Sequence, residues 1–180
     1  MPLHWCIRET RFNEMTRKLI IVLASVLALG SLATATVKPD FSGDWVMDRA
    51  RSFGLPGDMQ MTMTVKQTPT QIEVETKLMQ PGNERVQKDT YVLDGKEYDF
   101  TPPAPPNAPP PKGKRTSNWL PDGNGMIANE VTTAETPKGS VTTNIVKKWT
   151  FTAEGELTIA MFVDNPQVSY EAKRIFIRKK

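Results

Sequence analysis

Met59, Met61 and Met63 stand at alternate positions, and their thioether sulfurs are soft ligands of the kind that select Cu(I). Their spacing argues against that use. Alternate side chains on an extended strand lie about 6.8 Å apart, so three sulfurs in a row do not converge on one ion. Flexible methionines suit an apolar wall or core instead. The carboxylates offer no catalytic pair: Glu73 and Glu75 alternate with Ile72 and Val74, which sends them to solvent, and glycosidase chemistry needs two carboxylates across a cleft. Ser117 and Ser169 have no histidine to activate them. Asp122-Gly123-Asn124-Gly125 joins two strands and opens no helix, so it is no phosphate loop. The expectation is a protein that is not an enzyme and uses no metal and no cofactor.

The N-terminus sharpens that expectation. Arg17 and Lys18 precede the apolar run Leu19 to Leu29, followed by Gly30, Ser31 and Ala33-Thr34-Ala35, the charged, apolar and small-residue parts of a secretory signal. Cleavage is expected after Ala35, which makes residues 1–35 an extension and signal helix and residues 36–180 the mature domain. An uncleaved anchor is the lesser alternative, since the second half of the run is too polar for a good membrane span. Met15 begins a more typical signal than Met1, and translation is expected to start there. His4 and Cys6, the only histidine and cysteine of the 180 residues, leave with the signal. Without them the mature chain has no Ser-His-Asp triad, Cys nucleophile, thiolate or imidazole metal site, or disulfide. Four cations also leave with two anions, taking the formal net charge from +3 to +1, too little for a nucleic-acid-binding surface. The expected location is periplasmic or secreted.

From Phe41 onward, short segments of period-two alternation recur between turn residues, and no helical stripe of useful length interrupts them. The segments run over 41–48, 59–67, 71–79, 85–93, 96–100, 114–120, 126–134, 141–152, 156–163 and 167–178. Loops this short join antiparallel neighbours. The fold class is all-β, an up-and-down meander of about 8–10 strands closed into a barrel, which removes exposed edges; a two-sheet sandwich is the alternative. Residues 101–113 are the exception among the connections, with seven prolines between Pro102 and Pro111. Prolines donate nothing to a ladder, so a polyproline spacer is expected, with a lid or a docking strip as the functional alternatives.

Period two also assigns faces. Phe41, Gly43, Trp45 and Met47 share the inner side of the first strand. Val168, Tyr170, Ala172, Arg174 and Phe176 share it in the last, so a lone guanidinium lands on an apolar face, and the Trp45 indole is its expected partner. Gly43-Asp44-Trp45, with a basic residue in the final strand (Lys173-Arg174-Ile175-Phe176), resembles the G-x-W and C-terminal Arg pattern of lipocalins and the wider calycin group. The mature segment is similar to small exported bacterial lipocalin-like proteins, largely uncharacterised. The resemblance implies a barrel in which Gly43, Trp45 and Arg174 close one end, and it transfers no catalytic residue.

The remaining inner face reads as Met59, Met61, Met63 and Val65; Ile72, Val74, Thr76 and Leu78; Ile127, Asn129 and Val131; Val141 through Phe151 at alternate positions, including Lys147 and Trp149; and Leu157, Ile159, Met161 and Val163. Such a mixed lining suits a small-molecule site. The expected function is a non-enzymatic protein holding an apolar or amphiphilic molecule. Met61, Met63, Val74, Trp149, Met161 and Tyr170 would supply apolar contact, and Lys147 or Asn129 would orient a polar head. For Lys147 the simpler expectation is a bulge that sends both Lys147 and Lys148 to water. The rival function is a ligand-free structural or protein-interaction module of the cell envelope, its barrel filled by its own side chains.

Overall fold

The computed structural model describes residues 37–54, 57–103, 110–137 and 139–179. Residues 1–35, where the signal peptide is expected, and 104–109 of the proline segment lie outside them. Ten strands follow in order: β1 (Gly43–Met47), β2 (Gln60–Gln67), β3 (Gln71–Gln80), β4 (Asn83–Val92), β5 (Glu97–Phe100), β6 (Lys112–Trp119), β7 (Gly125–Thr136), β8 (Gly139–Phe151), β9 (Leu157–Asn165) and β10 (Val168–Arg178). No helix occurs among the described residues. All ten strands form one antiparallel sheet in the order β4-β3-β2-β1-β10-β9-β8-β7-β6-β5, so first and last strands are neighbours, with Trp45 opposite Arg178 and Met47 opposite Phe176. A single sheet replaces the sandwich alternative.

The sheet is strongly curled but open, a half-barrel whose edges are β4 and β5. Full closure of the hydrogen-bond ladder, expected from the meander, does not occur. The sequence supplies the reason: β5 has four residues and runs into Pro102 and Pro103, which have no N–H to donate. Across this seam β4 approaches β6, and side chains make the connection.

Burial follows the alternation. Phe41, Trp45 and Met47, then Met61, Met63 and Val65, then Ile72 and Val74 are buried, while Asp44, Thr64 and Glu73 between them are exposed. In β7 the order is the reverse of the expected one. Met126, Ala128 and Glu130 are buried, whereas Asn129 and Val131 are exposed. The ladder fixes this register, since Thr136 opposite Gly139 carries Ala128 opposite Lys147 and Met126 opposite Trp149, and partners directly opposite share a face.

Candidate functional site

One end of the curled sheet is packed with rings. Phe41 lies 5.1 Å from Phe151, 5.8 Å from Trp149 and 6.3 Å from Trp119 by ring centroids, and Trp45 lies 5.9 Å from Phe151. Trp45 Nε1 donates to the Phe41 carbonyl at 3.0 Å, so the buried indole N–H is satisfied. The cation over the Trp45 ring is Arg178, 4.5 Å from the centroid; Arg174, the expected partner, stands four residues earlier on the same face of β10. Register explains the difference, because Arg178 stands directly opposite Trp45. Arg178 Nη1 also donates to the Ser42 carbonyl at 2.8 Å. Gly43 has φ of +136°, which favours glycine at this position, and a Cβ there would push the flexible Arg178 guanidinium aside.

Beyond the plug the curled sheet forms a half-open cavity of about 610 Å³. Met61, Met63 and Val74 form one wall, Trp149, Ile159, Met161 and Val163 the other, and Tyr170 and Arg174 of β10 lie between. Phe100, Pro102, Pro103 and Pro111 stand at the mouth. Gly113 lets them pack there, since a Cβ on it would lie 2.5 Å from the Phe100 ring and 2.8 Å from the Pro102 ring.

On the seam side the wall is ionic. Arg115 of β6 is buried between two rings, 4.2 Å from the Tyr91 centroid and 4.0 Å from that of Phe100. Its Nε donates to Glu130 Oε1 at 2.9 Å, its Nη2 to Asp89 Oδ1 at 2.6 Å and its Nη1 to the Thr90 carbonyl at 2.9 Å. Glu130 Oε1 also accepts from Lys147 Nζ at 2.8 Å. Buried charges persist only where paired and hydrogen-bonded, and this cluster meets that condition. Burial pulls the Lys147 ammonium down, but Tyr91, Glu130 and Asp89 more than offset it, and its pKa stands above the ordinary value. Burial pushes the Tyr91 phenol up.

Arg174 is different. Among the described residues no carboxylate pairs with it. Its Nη1 rests on the Met161 sulfur, its buried Nε has no hydrogen-bond partner, and burial pulls its pKa below the ordinary value, with Tyr170 opposing. Lys147 stands directly opposite the same Met161. Among the described residues the cavity is lined by two cations, Lys147 and Arg174, and two carboxylates, Asp89 and Glu130; both carboxylates are also paired with Arg115, which lies behind the lining at the seam, so that three cations stand against two carboxylates.

No family model and no curated protein matches the chain. The reading of the site therefore rests on the geometry. Of the residues expected from sequence, Met61, Met63, Val74, Lys147, Trp149, Met161 and Tyr170 line the cavity. Asn129 does not, because it faces outward in β7. Lys147 faces inward with no bulge, its pairing continuous on both sides, against the simpler expectation that it reaches water. Sequence reasoning missed Arg115, Glu130 and Asp89. Arg115 follows Lys112 and Lys114 and reads as part of a solvated basic cluster, and Glu130 reads as outward-facing with the inverted β7. The described residues hold no group of three His, Cys, Asp or Glu side chains that could bind a metal.

Proposed function

We propose that this protein is a lipocalin-like binding protein that holds a small apolar or amphiphilic molecule inside its curled sheet. The observation that carries the reading is the cavity of about 610 Å³ with walls of methionine, valine, isoleucine and tryptophan. Small-molecule sites are concave, mostly apolar and larger than about 300 Å³, with a few polar groups that orient the ligand. The ten-stranded meander and the Gly43, Trp45 and Arg178 arrangement at its plugged end support the lipocalin-like description. The signal-like run ending at Ala35 supports export to the periplasm or beyond. No helix of the described residues is long and apolar enough to cross a membrane.

Native and denaturing mass spectrometry on the same gently purified sample tests both parts. The intact mass reports whether cleavage falls after Ala35. An added mass present only under native conditions, or saturable uptake of a lipophilic dye by the emptied protein, is the expected result. A bare polypeptide that takes up no dye contradicts the binding reading and favours the structural or interaction module.

A further inference from the structure

We propose that the ligand is a single-tailed anionic amphiphile, such as an alkyl carboxylate, and that Arg174 binds its head group. The inference rests on the binding function proposed above and names its ligand class. It follows from the distribution of charge around the cavity. Asp89 and Glu130 are both committed, the first to Arg115 at 2.6 Å, the second to Arg115 at 2.9 Å and Lys147 at 2.8 Å. The excess charge falls on Arg174, which among the described residues has a single hydrogen-bond contact, to the weakly accepting Met161 sulfur, and whose buried Nε is unpartnered there. A partly buried guanidinium without a counter-ion is destabilising unless something neutralises it.

The surroundings specify the rest of the ligand. A guanidinium recognises a carboxylate through two parallel N–H donors, and an unsatisfied Nε is one such donor. Arg174 lies opposite Ile159 in β9, and Ile159 lies opposite Trp149 in β8, so the head-group site opens onto an apolar row. Methionines 61, 63 and 161 extend it. Each tail methylene buried against such a wall contributes about 0.8 kcal/mol. Tyr170, on the same face of β10 and toward the mouth, is placed as a second donor to the head.

Calorimetric titration of the mature protein with decanoate and with 1-decanol, at a pH where decanoate is ionised, separates the two levels of the argument. Decanoate is expected to bind more tightly by about 10- to 100-fold, the equivalent of one charge-assisted hydrogen bond. Arg174→Met is expected to abolish that preference, leave decanol binding in place and raise the melting temperature of the ligand-free protein. Arg174→Lys is expected to keep part of the preference. Equal binding of both probes by the native protein, or a preference that survives Arg174→Met, overturns the assignment and leaves the cavity as a binding site for neutral molecules. Should that variant fail to fold, the native protein's ratio and the Arg174→Lys variant decide. Binding of neither probe removes the proposed function and this inference with it.

Discussion

At the scale of single residues, the two arginines of β10 have opposite surroundings although they share a face. Arg178 sits over Trp45 at the plugged end, hydrogen-bonded to a backbone carbonyl, whereas Arg174 faces the cavity with an unsatisfied nitrogen. Trp45→Ala is expected to destabilise the fold by about 3 to 5 kcal/mol, the cost of losing a buried tryptophan. In double-mutant cycles Arg178→Ala should couple to it by about 0.5 to 1 kcal/mol, and Arg174→Ala should be additive with it within about 0.5 kcal/mol. Coupling to Arg174 instead would place the cation–π contact wrongly. Glu130 carries a heavier share, because it is hydrogen-bonded to the buried Arg115 and the half-buried Lys147. Glu130→Gln should cost about 3 to 5 kcal/mol, read from denaturant unfolding, because it leaves buried charge uncompensated. The pH dependence follows from the same cluster. The Lys147 and Tyr91 pKa values are both raised on folding, so their contribution is complete below the unfolded values of about 10 and is lost as pH climbs through the folded ones. Melting temperature should therefore fall on the alkaline side, with a smaller fall in Lys147→Met; a flat profile there would contradict the raised values.

At the scale of elements, the sheet has a weak place where the backbone ladder stops. The seam between β4 and β5 is bridged by the Arg115 side chain, which reaches Asp89 and the Thr90 carbonyl of β4 from β6. Arg115→Ala should accelerate amide hydrogen exchange in β4 ahead of β2 and β3, which are paired on both sides, because local opening follows the least-supported hydrogen bonds. Uniform acceleration across all strands would mean that the latch is no local feature. The strands themselves were legible in the sequence because half-buried strands alternate and turn residues punctuate them. The inverted face of β7 was not, since Ile127 and Val131 are apolar residues on its outer side and imitate an inner row. The needed signal was nevertheless present: the tight connection from Thr136 to Gly139 sets Glu130 opposite Ile145 and Ala128 opposite Lys147, so the inward reading of β8 already dictated that of β7. The seam was hidden for a different reason. Period and turn length show which strands are neighbours, but not whether the last edge pair completes its ladder.

At the scale of the whole molecule, a plug of aromatic rings at one end and a cavity at the other divide the interior. The methionines sample both regions and the outside. Met61, Met63 and Met161 line the cavity; Met126, at 0% exposure, belongs to the packed core, and Met79, at 37%, faces outward. The apolar inner rows were legible in the alternation of Met59 through Val65 and Leu157 through Val163, but that alternation fits a filled core as well as a cavity. The ionic wall was not legible, because Arg115, Asp89 and Glu130 come from three strands and meet only when the sheet curls. The central claim is that a ligand enters this cavity, and the methionine methyl groups report on it directly. Titration of methyl-labelled protein with decanoate, followed by methyl NMR, should shift Met61, Met63 and Met161 saturably and together while Met79 stays in place. Shifts confined to Met79, or no saturable shift at the three cavity methionines, would contradict the claim.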